Sequence, residues 1–176
     1  MIEGRTIDVD GINTYYIDVG EGPTIVLVHG AGATSDAYGG WAPQLKTLSK
    51  DFRVVAFDEI GFGRTDMPKD KGYYNRLERV DHAIGFMRAM GIEGAALVGH
   101  SEGAFMVARM AIVAPELCSH LILVTTGGTS PRLGGDRDNA WIEAANTAYN
   151  WDSLSDVESC IQTYRHLAVT RNPEGE

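Results

Sequence analysis

A serine between two glycines is the first group in this chain that could do covalent chemistry. The stretch reads Gly99, His100, Ser101, Glu102, Gly103 and follows the small apolar run AALV. A nucleophilic serine needs an exposed position on a strained turn, with neighbours small enough for a substrate to approach closely. The helical pattern EGAFMVARMAIVA comes directly after the serine, so its first N–H groups would face an oxyanion formed there. This context predicts a nucleophile rather than an ordinary strand–helix turn.

A second small-residue segment, HGAG (residues 29–32), ends an earlier apolar run, TIVLVHG. If both runs are parallel strands, this segment lies beside the serine at the carboxyl edge of the sheet, where open α/β folds bind ligands. The N–H groups of Ala31, Gly32 and Glu102 are then predicted to form an oxyanion hole. The alternative is a glycine turn with a structural histidine, and we interpret His29 itself as structural.

A catalytic serine also needs a base, and the base needs an orienting acid. Two histidines follow Ser101: His120 is predicted near the start of a strand, at the wrong edge of the sheet, and His166 in a helix that only a closing lid could bring near. His100 is adjacent to the serine, but its side chain should point to the opposite side. Asp58 we interpret as structural, because the acid usually follows the serine in this architecture.

The elements that must position these groups follow the order of a parallel α/β sheet. Alternating patterns over residues 5–10 and 12–19 predict an N-terminal hairpin. Continuous apolar runs predict four buried strands, TIVLVHG, FRVVAFDEIG, GAALVGHS and HLILVTT. Between them lie three helical patterns, WAPQLKTLSK, YNRLERVDHAIGFMRAMG and EGAFMVARMAIVA. The predicted apolar face of the second helix carries Leu77, Val80, Ile84, Met87 and Met90. Strands that alternate with helices in this way predict an α/β fold.

The pattern changes after the fourth buried run. TSPRLGGDRD is typical of a loop, and two helices are predicted after it. The first has Trp141 and three alanines on one face, and the second begins with the capping box Ser155-x-x-Glu158. We therefore predict an α/β core over residues 1–128 and a partial helical lid over residues 129–176.

Composition narrows the class of protein. The chain has 176 residues, of which 44% are hydrophobic, and this suits one globular domain. A net charge of -9 argues against nucleic acid and anionic membrane surfaces as partners. Cys118 and Cys160 form no disulfide framework. The sequence also shows no signal pattern and no membrane-spanning run. Together these observations predict a cytoplasmic location. No metal-ligand spacing, phosphate loop or dinucleotide fingerprint is found in the sequence, so no cofactor and no metal are predicted. The partner expected for a reactive serine is a small-molecule substrate.

Three motifs, GEGPTIVLVHGAG, DEIGFGRTDMP and LVGHSEGA, resemble in their order and spacing those of the α/β-hydrolase superfamily. Within it the chain is most similar to the meta-cleavage-product hydrolases, which cleave a carbon–carbon bond in 2-hydroxy-6-oxo-dienoic acids from aromatic ring degradation. HGAGATSDAYGGW resembles their oxyanion loop, and YRHLAVTRNPE their lid segment, in which an arginine binds the substrate carboxylate. The resemblance implies this role for Arg165, with a solvated helix face as the alternative.

Two residues depart from that subfamily. The residue before the nucleophile is often Asn and is His100 here, and the residue after it is often apolar and is Glu102 here. Both positions touch the substrate pocket in the family, so His100 is expected to contact substrate and the substrate class stays open. A carboxylesterase on the same fold, or a non-catalytic hydrolase-fold binding protein, is the alternative. Dehalogenases and epoxide hydrolases use Asp as nucleophile, and Ser101 argues against both.

The resemblance further implies two more strands after the lid, which would carry the catalytic acid and histidine. We therefore expect this chain to be the N-terminal part of a longer hydrolase, with the Asp and His beyond residue 176. Without those strands, HLILV would form an exposed apolar edge, which favours aggregation. We expect a further segment, a second copy of the chain or a swapped partner to cover that edge.

Overall fold

A computed structural model describes residues 2–32, 35–69, 72, 75–125, 135, 136 and 139. The chain divides into two units, residues 1–130 and 131–176, and the elements discussed below belong to the first. The lid helices lie outside the described residues, and so does the boundary at residue 128. Both therefore stay predictions.

The described residues form strands and helices in the predicted order. They are β1 (Arg5–Val9), β2 (Ile12–Val19), β3 (Thr24–Val28), α1 (Ala37–Leu48), β4 (Arg53–Phe57), α2 (Arg76–Ala89), β5 (Ala95–His100), α3 (Glu102–Val113), a 3-10 turn (Pro115–Leu117) and β6 (Cys118–Val124). One helix begins earlier than the pattern WAPQLKTLSK indicated. Asp36 caps α1, because its side chain accepts a hydrogen bond from the N–H of Gly39.

The strands form one sheet in the order β1-β2-β4-β3-β5-β6. The N-terminal hairpin pairs antiparallel with β4, whereas β4, β3, β5 and β6 run parallel to one another. Val28 pairs with Phe57 on one side and with Gly99 on the other. The segments that follow β3, β4 and β5 therefore emerge together at one edge of the sheet. The predicted α/β-hydrolase fold, with a mostly parallel sheet and an antiparallel hairpin, is confirmed.

Both faces of the sheet are covered by helices, because successive strand residues point to opposite sides. Val26 and Val28 pack with the buried residues of α2 and α3, whereas Ile25 and Leu27 pack with those of α1. Burial of each such side chain contributes about 1.5–3 kcal/mol. The predicted face of α2 is buried at Val80, Ile84 and Met87, but Leu77, in the first turn, is 50% exposed.

Strand β6 lies at the end of the sheet order. Within the described part of the chain it pairs with β5 alone. Its apolar side chains are exposed, at 38–49%: Leu121, Ile122, Leu123 and Val124. The described residues thus leave an apolar sheet edge where the sequence predicted one.

Candidate active site at the carboxyl edge of the sheet

Ser101 forms the turn between β5 and α3. Its backbone has φ 54° and ψ −112°, a conformation that L-residues rarely adopt and that costs about 1–3 kcal/mol. The Ser101 N–H donates to the carbonyl of Val124, at 2.9 Å. This contact ties the strained turn to the neighbouring strand. The serine therefore occupies the sharp turn that a nucleophile requires.

The two glycines of the motif are required by close packing. A Cβ on Gly99 would lie 2.2 Å from the carbonyl oxygen of Gly103. A Cβ on Gly103 would lie 2.3 Å from the carbonyl oxygen of Val28. Only hydrogen fits at both positions, so the spacing Gly-x-Ser-x-Gly follows from how closely α3 approaches β5 and β3.

The HGAG segment borders the serine, as the sequence predicted. A Cβ on Gly30 would lie 3.1 Å from the Cβ of Ser101 and 3.0 Å from Nδ1 of His100, so both residues flank Gly30. Glu102 is the first residue of α3, where N–H groups have no acceptor within the helix. The structure gives its N–H no acceptor among the described residues. These positions suit an oxyanion hole of Ala31, Gly32 and Glu102, and the hole stays a prediction.

His29 is a structural residue in this arrangement. Its ring is 1% exposed, Nδ1 lies 2.8 Å from the carbonyl oxygen of Gly30, and Nε2 accepts the N–H of Glu59 at 3.1 Å. The contacts assign the neutral tautomer with the proton on Nδ1. Burial lowers the pKa of His29, which also favours the neutral ring. The histidine therefore orients the Gly30 peptide, and its contacts do not suit it to act as a catalytic base.

Asp58 is structural as well. It is 1% exposed, and both carboxylate oxygens accept backbone N–H groups, from Ala37 at 2.6 Å and from Arg64 at 2.8 Å. Burial raises its pKa, and these two backbone hydrogen bonds oppose that rise. A Cβ on Gly63 would lie 2.0 Å from the Asp58 carboxylate. The side chain therefore joins the start of α1 to the glycine turn after β4.

A network of ionisable side chains beside the serine, buried at Glu59, mostly buried at Arg79 and exposed at Arg76, was not predicted from the sequence. Arg79 donates to Glu59 at 3.1 Å and to Glu102 at 2.9 Å, and Arg76 donates to Glu102 at 2.7 Å. Burial raises the pKa of Glu59 to about 8, against the opposing effect of Arg79. The hydrogen bond from Arg76 is the largest cause that lowers the pKa of Glu102. The side chain of Glu102 therefore contacts α2.

The described residues provide no base for the serine. The structure gives Ser101 Oγ no hydrogen-bond partner among them. His120 pairs with Ala96 near the start of β5, whereas Val124 pairs with His100 beside the serine. His120 is thus roughly 15 Å away along the strands, at the edge where the sequence placed it. Arg165 and His166 lie outside the described residues.

Among the described residues, no group of three or more His, Cys, Asp or Glu side chains could hold a metal ion. No described helix is long and apolar enough to cross a membrane.

A serine on a strained strand–helix turn, at the carboxyl edge of a mostly parallel sheet, is the arrangement found in α/β hydrolases. The sequence model described as "alpha/beta hydrolase fold" matches residues 23–153. The chain belongs to this family.

Two curated relatives and one solved structure that are similar to this chain are hydrolases. A 2-hydroxymuconate semialdehyde hydrolase of Pseudomonas sp. (strain CF600) is 38% identical over 138 residues, which cover 78% of this chain and 48% of the relative. A protein of the same name from Pseudomonas putida is 36% identical over 171 residues, 97% of this chain and 58% of the relative. The solved structure of a meta-cleavage product hydrolase from Pseudomonas fluorescens IP01, complexed with acetates, has a TM-score of 0.70 and 30% identity, and the match covers 94% of this chain and 64% of that one.

These comparisons confirm the resemblance drawn from the three sequence motifs. The chain spans about half the length of the curated relatives it matches.

Proposed function

We propose that the protein is a serine-dependent hydrolase that cleaves a carbon–carbon bond in 2-hydroxy-6-oxo-dienoate ring-cleavage products. The observation that carries the proposal is Ser101, held at φ 54° directly beside Gly30. The activities for which the relatives are named support the substrate class.

A nucleophilic Ser101 would imply a specific order of events. Ser101 Oγ loses its proton to a base and attacks the 6-oxo carbonyl carbon, and the negative charge develops on the carbonyl oxygen. The N–H groups of Glu102, Ala31 and Gly32 are proposed to stabilise that oxyanion. Before the bond breaks, the 2-hydroxyl group of the substrate loses its proton and C5 gains one, which gives the 2-oxo tautomer. The C5–C6 bond then breaks, and its electron pair passes to the 2-oxo oxygen as a dienolate, which leaves and takes up a proton. Water finally hydrolyses the acyl ester on Ser101. The base and its acid are proposed to lie outside the described residues.

Two further residues are proposed to contact the substrate. Arg165 would bind the substrate carboxylate, by analogy with the lid segment of meta-cleavage-product hydrolases. His100 borders Gly30 and is exposed, so its ring is available to a ligand beside the serine. We also propose that a further protein segment or a second copy of the chain covers the apolar edge at β6.

Substitution of the serine tests the function. Ser101→Ala is expected to abolish dienoate turnover and labelling by a fluorophosphonate probe, because only an activated serine reacts with such a probe. The matched control is Ser119→Ala, in which the hydroxyl contacts only His120 among the described residues. The control is expected to keep wild-type turnover. Wild-type turnover in Ser101→Ala would disprove the serine mechanism.

The same assay separates the alternatives on this fold. Rapid cleavage of short acyl esters without dienoate turnover would assign a carboxylesterase, which needs the same serine and oxyanion hole. A wild-type protein that turns over neither substrate and takes up no probe would favour a binding protein. The Ser101 hydroxyl, which has no hydrogen-bond partner among the described residues, is the observation that supports this alternative.

A further inference from the structure

A continuous series of polar contacts joins the two sides of the predicted oxyanion hole. On one side, His29 Nδ1 holds the carbonyl of Gly30 at 2.8 Å, and Nε2 accepts the N–H of Glu59 at 3.1 Å. On the other side, Oε1 of Glu102 accepts from Nη2 of Arg79 at 2.9 Å. The guanidinium closes the series, because its Nη1 also donates to Oε2 of Glu59 at 3.1 Å.

Arg79 is fixed in place by its surroundings. Its side chain is 11% exposed, and its two partners, Glu59 and Glu102, are 1% and 13% exposed. The guanidinium carbon lies 5.9 Å from the centre of the Phe62 ring. Buried ion pairs contribute little net stability, because desolvation offsets their attraction. Removal of Arg79 would leave the buried Glu59 without its guanidinium donor and Glu102 held by Arg76 alone, so the link between their two segments would be lost.

We propose that Arg79 is a positioning residue for the oxyanion hole. By bridging Glu59 and Glu102 it holds the first turn of α3, and with it the N–H of Glu102, at a fixed place relative to residues 29–32. The proposal rests on the proposed function, in which Ser101 is the nucleophile and these N–H groups bind the oxyanion. Arg79 acts through Glu102 and does not itself touch the substrate.

The proposal predicts a particular kinetic effect. An oxyanion hole acts mainly in the transition state, so its distortion lowers kcat and leaves KM little changed. A displacement of about 1 Å in a catalytic group can cost about a hundredfold in rate. For Arg79→Met we therefore expect kcat to fall about tenfold to a hundredfold, with KM within about twofold of wild type. Arg79→Lys keeps the charge but lacks the planar fork that spans two carboxylates, and is expected to be intermediate.

The control lies on the same helix. Arg88 pairs with Glu116 at 3.0 Å, and both side chains are more than half exposed. Arg88→Met makes the same chemical change outside the site and is expected to keep the wild-type kcat. Dienoate turnover is measured for each variant and divided by the number of active sites, counted by fluorophosphonate titration taken to completion. This correction separates a slow enzyme from a partly unfolded one.

A double variant tests whether Arg79 works through its partner. Glu102→Gln keeps the backbone N–H but removes the charge that Arg79 holds. If the arginine acts through this contact, Arg79→Met combined with Glu102→Gln is expected to be no slower than the slower single variant, because the two changes break one interaction.

Four results would overturn the proposal: wild-type kcat in Arg79→Met, a loss confined to the number of titratable sites, a raised KM at unchanged kcat, or strictly additive losses in the double variant. If Arg79→Met does not fold, the kcat and KM of Arg79→Lys are compared with those of the wild-type protein instead. Failure of the proposed function would look different, because Ser101→Ala would stay active or the wild-type protein would contain no titratable serine.

Discussion

The buried histidine of α2 predicts a loss of stability in weak acid. His82 is 9% exposed, and its Nε2 lies 2.9 Å from the hydroxyl of Thr14 on β2. Burial lowers its pKa from 6.5 to about 4, and Asp10 opposes this only in part. The folded protein therefore holds the neutral ring at pH values where the unfolded chain binds a proton.

The sign and size of the effect follow from this difference. Above pH 6.5 the ring is neutral in both the folded and the unfolded state, so His82 makes its full contribution to the free energy of unfolding. As the pH falls from 6.5 towards 4, the unfolded chain takes up the proton first and the free energy of unfolding decreases. One pH unit of separation corresponds to about 1.4 kcal/mol, so by pH 4.5 the loss reaches about 2.5 kcal/mol.

Urea unfolding at pH 7.5 and at pH 4.5 measures this loss. His82→Gln keeps an N–H donor for Thr14 but cannot titrate, so the contributions of all other groups cancel when it is compared with wild type. The advantage of wild type over His82→Gln is expected to shrink by about 2.5 kcal/mol between the two pH values. His120→Gln, at an exposed position on β6, is the control and should follow the wild-type curve. If the difference between wild type and His82→Gln changes by less than about 0.5 kcal/mol, the reasoning from burial is wrong.

Two further predictions concern the segments that support the serine. Asp58→Ala leaves the buried N–H groups of Ala37 and Arg64 without their acceptors, so thermal unfolding should show that the free energy of unfolding falls by about 2–5 kcal/mol. The control is Asp18→Ala, which breaks a partly exposed ion pair with Arg53 and should lower it by less than about 1 kcal/mol. Equal losses in the two variants would contradict the argument. Gly103→Ala places a methyl group 2.3 Å from the carbonyl oxygen of Val28, so chemical denaturation should show a loss of several kcal/mol, and wild-type stability would show that α3 does not approach β3 this closely.

The sequence predicted the order of strands and helices because the signals are local and strong. Each central strand is a continuous apolar run, and the helices between them have the period and stop signals of surface helices. The start of α1 was missed because it depends on the Asp36 side chain, which turns back to Gly39, and on Asp58, which reaches Ala37 from 21 positions later in the chain. The exposure of Leu77 was missed because periodicity does not show where the neighbouring element ends.

The serine turn and its glycines were also predicted, since the pattern Gly-x-Ser-x-Gly between a strand and a helix is contained in residues 99–103. The Glu59–Arg79–Glu102 bridge was not predicted, because it joins three separate segments of the chain. These are the loop after β4, the helix α2 and the first turn of α3. Its only signal in the sequence is a pair of arginines three positions apart, Arg76 and Arg79, which share a helix face. Neither spacing nor charge could show that this face meets two glutamates at the carboxyl edge of the sheet.

The bridge explains how an acidic residue can follow the proposed nucleophile. A free carboxylate at Glu102 would oppose the negative charge that forms on the substrate oxygen at the neighbouring N–H, since like charges at short range repel most strongly where water is excluded. In the structure the Glu102 side chain turns to Arg76 and Arg79, and its charge is compensated by two guanidinium groups. The Glu102 side chain therefore binds α2, and its backbone N–H stays available for the proposed oxyanion. The departure from the apolar residue common in meta-cleavage-product hydrolases is therefore compatible with oxyanion chemistry, provided that both arginines stay in place.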